Sequence, residues 1–121
     1  MGKHTTETDQ RNRARGRWGE NLAASFYERN GCRVIDRNWR SATGELDLVV
    51  LDGDTYVFSE VKARRSDRYG PAAAAVGVDK QRRIRQLGIE WLRAHDVGHV
   101  DVRFDVIAIT GNDLDHVADA F

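Results

Sequence analysis

G-E-L-D-L-V-V-L-D-G-D-T-Y-V-F-S-E-V-K, residues 44–62, sets two β-rich runs on either side of an Asp-Gly pair. Gly tolerates the positive φ of a tight turn, so the stretch reads as a β-hairpin with strands over residues 45–51 and 55–63. Side chains alternate between faces along a strand. Asp47 therefore shares a face with Glu45, Val49 and Leu51, and Glu60 with Tyr56, Phe58 and Lys62. A Gly53-Asp54 loop pairs Leu51 with Tyr56 and sets Asp47 opposite Glu60; an Asp52-Gly53 loop makes the two acids diagonal neighbours. Facing carboxylates destabilise a sheet unless a cation lies between them. Two acids and a lysine on one face suit a metal-and-water site. Mg²⁺ takes oxygen ligands and keeps several waters, and a lysine beside it can orient water or neutralise developing phosphorane charge. Phosphodiester hydrolysis uses all three groups. The plainer alternative is a Glu60–Lys62 pair on a solvated edge strand, against which stand Tyr56 and Phe58 on the same face.

Upstream, residues 1–12 are polar and aperiodic and are expected to be a disordered tail. A helix is expected over residues 14–30, with Trp18, Leu22 and Phe26 as its apolar stripe, Ala23 and Tyr27 widening it, and Gly31 ending it. Glu20 lies at the border of that stripe. A short strand over 32–38 and a polar connection over 39–43 lead into the hairpin.

Downstream, residues 63–78 read as a basic, small-residue loop containing Arg64, Arg65 and Arg68. A second helix is expected over 79–95, N-capped by Asp79 and carrying Ile84, Leu87, Trp91 and Leu92 on its core side. Lys80 falls on that stripe and should point towards the sheet. Lys80, Arg82, Arg83 and Arg85 crowd the first turns against the helix dipole, an arrangement that suits an arriving anion. A last strand covers 100–110, and 111–121 reads as an acidic tail containing His116. Trp18 and Trp91 read as core residues and Trp39 as the exposed tryptophan.

The order α-β-β-β-α-β implies one α/β domain over residues 13–110, with a central mixed sheet flanked by helices. The longest apolar run, Leu48 to Leu51, is far short of the roughly 20 residues a membrane span needs, so no membrane partner is expected. One cysteine, Cys32, excludes an internal disulfide and a four-cysteine zinc site, and a cytoplasmic address is expected. Charges balance to zero, but residues 61–85 carry eight Lys/Arg against two acids while 86–121 carry two against seven. Such asymmetry marks either an electropositive face or a solvated helix surface.

The acid of S-E-V-K, thirteen positions after that of G-E-L-D, gives this chain a likeness to the PD-(D/E)xK nucleases of the restriction-endonuclease-like superfamily. G-R-W-G-E-N-L-A at 16–23, N-G-C-R-V-I at 30–35, R-Y-G-P at 68–71, V-D-K-Q-R-R at 78–83 and R-F-D-V-I at 103–107 extend it. Together they resemble the YraN-like family of predicted endonucleases. The resemblance implies a restriction-endonuclease-like core related to archaeal Holliday junction resolvases, and a metal-dependent endonuclease acting on DNA, including branched or flapped forms. It implies Asp47 and Glu60 as ligands of Mg²⁺ or Mn²⁺ with the Val61 carbonyl, Lys62 as the catalytic lysine, and Glu20 as the helix-borne acid at the metal. Arg64, Arg65, Lys80, Gln81, Arg82 and Arg83 are the expected nucleic-acid contacts, and a homodimer would be in keeping with resolvase-like proteins. Ser59 stands where the family usually has an aliphatic residue, and only a packing effect is expected of it. The alternative function is a non-catalytic nucleic-acid-binding or partner-docking protein that retains the nuclease fold.

Overall fold

A computed structural model describes residues 7–64 and 76–121. Helix α1 spans Glu7–Arg29, strands β1, β2 and β3 span Arg33–Ser41, Gly44–Asp52 and Thr55–Arg64, helix α2 spans Val78–Ala94, and strands β4 and β5 span Asp101–Thr110 and Asp113–Val117. The strands form one sheet in the order β1-β2-β3-β4-β5. Only β3 and β4 are parallel, because α2 carries the chain back across the sheet between them. The other pairings are antiparallel, so the sheet is mixed as the α-β-β-β-α-β order implies. No helix among the described residues is long and apolar enough to cross a membrane.

The two helices cover opposite faces. On one, Ala23, Ala24 and Tyr27 of α1 bury Leu48, Val50, Val57, Ile107 and Ile109. On the other, Ile84, Leu87 and Trp91 of α2 bury Leu46, Val49, Phe58 and Val106. Each such aliphatic or aromatic side chain contributes about 1.5–3 kcal/mol on leaving water. The stripe of α1 is rotated by one residue from the expected one. Gly19, Ala23 and Tyr27 face the sheet, Leu22 and Phe26 flank them, and Trp18 stays 43% exposed. Small residues on the contact line let the helix approach more closely than a Trp-Leu-Phe line would allow. Trp39, expected to be exposed, is half-buried against the α2 cluster.

Three boundaries differ from the sequence expectation. Residues 7–12 belong to α1 rather than to a tail. Residues 113–117, expected in an acidic tail outside the domain, form β5: their backbone pairs with β4 and His116 bonds Asp105, which alternation of apolar residues could not reveal. Helix α2 is capped by Gly77, whose carbonyl accepts from Gln81 N at 2.9 Å, and Asp79 sits in the first turn. Arg65, Arg68 and the R-Y-G-P motif lie outside the described residues.

A buried polar network ties α1, β3, β4 and β5 together. Tyr27 donates to Asp105 Oδ2 at 2.8 Å and lies 2.8 Å from Ser59 Oγ. Asp105, fully buried, also accepts from Arg103 Nε, His116 Nε2 and Asp119 N at 2.9, 2.8 and 3.0 Å. The donors hold the Asp105 carboxyl below the usual carboxylate range despite its burial. Ser59 thus has a hydrogen-bonding role in this network, beyond the packing effect expected for it.

Candidate metal and nucleic-acid site

The β2–β3 hairpin closes on Gly53-Asp54, with Leu51 opposite Tyr56 and Asp52 opposite Thr55. Gly53 takes φ 60, the left-handed conformation the turn requires. The paired register runs from there to Leu48 opposite Ser59 and ends one step before Asp47 and Glu60 would meet.

At that point β2 turns over. Leu46 and Leu48 are two residues apart and should share a face, yet Leu48 packs under α1 and Leu46 under α2. Asn38, which falls between the partners of those two leucines on β1, takes φ 54. Asp47 therefore lies between the layers, where β2 parts from β3. Its Oδ2 accepts the backbone N–H of Val61 at 2.9 Å, a bond to the side chain in place of the ladder.

Three elements bring acids to Asp47. Glu20 arrives on α1 because Gly19, directly before it, lets the helix touch β3: a Cβ at Gly19 would sit 3.0 Å from Ala63 Cβ and 3.8 Å from Val61 Cγ1. Glu45 arrives from the start of β2. One carboxylate oxygen each from Glu20, Glu45 and Asp47 lie within 4.8 Å of one another, an all-oxygen set suited to a hard divalent cation. Glu60, on β3 and 6% exposed, comes from the α2 side. Burial, then the charge of Glu60 and that of Glu20, push the Asp47 carboxyl up to about 8 against the stabilising Val61 N–H.

The cations stand around the rim. Lys80 Nζ, pointing to the sheet as its stripe position implies, is 2.7 Å from Glu60 Oε1, and Arg40 Nε is 2.6 Å from Glu45 Oε2. Lys62 is exposed. Arg83 lays its aliphatic stem over Gly44, where a Cβ would meet its Cδ at 3.3 Å. Arg82 is exposed beside Asp79 at 3.9 Å, Gln81 ties its amide to the Val76 carbonyl at 3.0 Å, and Arg64 donates to Thr110 Oγ1 at 3.0 Å. Arg65 lies outside the described residues.

The turn that delivers Glu45 is held to α2. Ser41 Oγ and Thr43 Oγ1 each donate to Glu90 at 2.6 Å, bonds that hold the Glu90 carboxyl below its usual range. Glu45 was not among the expected site residues. Its signal was present all the same, since alternation puts it on the Asp47 face within G-E-L-D.

Comparison with known proteins places these elements within the span of one family. The model of the uncharacterised protein family UPF0102 matches residues 19–109, from the Gly19-Glu20 corner to the end of β4. The UPF0102 protein of Rhodococcus opacus (strain B4) is 50% identical over 115 residues, 91% of this chain and 98% of its own length. The UPF0102 protein of Geobacter sulfurreducens is 43% identical over 120 residues, 95% of this chain and 94% of its own. That of Syntrophus aciditrophicus is 42% identical over 110 residues, 88% and 87%.

Proposed function

We propose that this chain, which belongs to the UPF0102 family, is a divalent-metal-dependent endonuclease that hydrolyses DNA phosphodiester bonds. The observation that carries the reading is Asp47 as a hub: bonded to Val61 N, within 4.8 Å of Glu20 and Glu45 oxygens, and raised in pKa by the charge of Glu60. Three carboxylates with oxygens within 4.8 Å of one another, and the charge of Glu60 acting on Asp47 beside them, repel one another, and the folded chain tolerates them most readily if their work is to hold a cation. The resemblance of the same residues to the YraN-like endonucleases supports this reading.

Asp47, Glu60, Glu20 and Glu45, with the Val61 carbonyl, would hold Mg²⁺ or Mn²⁺. The ion would supply positive charge to a phosphoryl oxygen and lower the pKa of a bound water. Asp47 must shed its proton to serve as a ligand, so ion binding releases a proton. Lys62, two residues from Glu60 and exposed, carries the ammonium that would orient the attacking water and meet the charge growing on phosphorus. Arg82, Arg83 and Lys80 on the first turns of α2 would receive the flanking phosphates, the anion that offsets their unfavourable position on the helix dipole.

The test is nicking of duplex, junction and flap DNA by the wild-type protein and Asp47→Ala, with and without Mg²⁺ or Mn²⁺. Metal-dependent cleavage lost in the variant is expected. Equal activity in both proteins overturns the reading, and salt-sensitive binding without cleavage favours a non-catalytic DNA-binding protein.

A further inference from the structure

Lys80 is the cation bonded to the most buried acid of the cluster. Its ammonium lies 2.7 Å from Glu60 Oε1, with the Lys80 side chain 39% exposed and that of Glu60 7% exposed. Lysines on a first helical turn ordinarily extend their ammonium into water, and the dipole there disfavours a cation. Lys80 turns inward because, among the described residues, Glu60 would otherwise be a nearly buried carboxylate without a counter-charge. Glu45 has its own cation in Arg40, and Asp47 has the Val61 N–H. Lys80 is therefore the charge that makes Glu60 tolerable in the protein without metal.

The Lys80 side chain can leave without unmaking the helix start. The turn is closed independently by Gln81 N to the Gly77 carbonyl at 2.9 Å and Gln81 Nε2 to the Val76 carbonyl at 3.0 Å. A flexible four-carbon stem, already partly exposed, gives the ammonium a route to solvent.

Resting on the metal-site reading above, we propose that Lys80 is a built-in counter-cation. It neutralises Glu60 in the metal-free protein, releases it when a divalent cation binds Asp47 and Glu60, and is then free to meet a DNA phosphate. Metal loading and DNA binding are coupled through this one side chain, with Lys80 as a positioning residue for both.

The experiment is calorimetric titration of Mn²⁺ without DNA into wild type, Lys80→Met, Lys80→Gln and Asp47→Asn, each checked by thermal melting. It is paired with reductive methylation of Lys80 with and without Mg²⁺, followed by mass spectrometry against the N-terminal amine. Both Lys80 variants are expected to bind Mn²⁺ about three- to tenfold more tightly than wild type, having lost the competing cation. Lys80 methylation is expected to speed up when Mg²⁺ is added. Equal or weaker Mn²⁺ binding by a folded Lys80 variant overturns the proposal, as does methylation that stays the same or slows. If Asp47→Asn still loses Mn²⁺ in that case, the metal site stands and only the role of Lys80 falls. A wild-type protein that binds no Mn²⁺ overturns both.

Discussion

Val61 gives its backbone N–H to the Asp47 carboxylate at 2.9 Å, at the point where the β2–β3 pairing has just ended. A strand amide that would serve a neighbouring backbone instead fixes the side chain at the centre of the acid cluster. The strands part and the site opens between them.

The Asp47 carboxyl gives the metal-free protein a distinctive pH dependence. Its folded-state pKa is raised to about 8, so between about pH 4 and pH 8 the folded chain keeps a proton that the unfolded chain has released. The stability this contributes is full below about pH 4 and is lost as the pH rises through about 8. The melting temperature should fall by several degrees from about pH 5 to about pH 9, and Asp47→Asn should flatten that slope. Mn²⁺ should restore stability at the alkaline end, where Asp47 is ready to bind it.

Glu45 reaches Asp47 and Glu20 within 4.8 Å, so Glu45→Gln and Glu20→Gln should each weaken Mn²⁺ binding by at least about tenfold. Neither should lower the melting temperature, since each removes one member of a mutually repelling set. Titration calorimetry on the two variants checks both halves of the expectation.

Lys62→Ala should separate binding from chemistry. The side chain is exposed and is not a metal ligand in the proposed reading, so Mn²⁺ affinity should hold while kcat for DNA cleavage falls about 10²–10³-fold. Loss of metal binding together with activity would reassign Lys62 to the structure of the site.

Gly19→Val should displace α1. The added Cβ would sit 3.0 Å from Ala63 Cβ and the branches beyond it closer still, costing about 1–3 kcal/mol in urea unfolding. Because Glu20 rides on the same turn, Mn²⁺ binding should weaken as well. The double variant with Ala63→Gly should recover part of both losses, which a defect unrelated to that contact would not do.

Tyr27→Phe removes the hydroxyl that links Ser59 and Asp105, each 2.8 Å away. The expected cost is about 1–3 kcal/mol for the buried partners left short of a bond. Asp105→Ala should cost more, about 3–5 kcal/mol, because Arg103 loses its buried counter-charge. Asp105 also carries a pKa held low, so its contribution to stability is present above the ordinary carboxylate pKa and lost as pH falls through the lowered one. Acid unfolding followed by circular dichroism should therefore move to higher pH in the Tyr27→Phe protein.

From the sequence alone come the two helices, the first four strands and a hairpin turn within Asp52-Gly53-Asp54; it left two loops open, and the fold chose Gly53-Asp54 with Leu51 opposite Tyr56. The elements follow from alternation, helical periodicity and turn chemistry, which act between residues close in the chain. The sequence also singled out Asp47, Glu60 and Lys62 through spacing, and Glu20 through its family-like motif. It took the folded chain to show that Asp47 lies between the layers, that Glu45 joins the cluster, and that Lys80 gives its charge to Glu60. β5 emerges there too: Leu114 and Val117, three residues apart, do not alternate as a strand's apolar residues should, yet they pack on opposite cores while the backbone pairs with β4. Tyr27 and Asp105 are 78 residues apart, and no local pattern relates them. Which face a strand shows where it leaves its neighbour, and which charge a long side chain meets, depend on packing around the whole sheet.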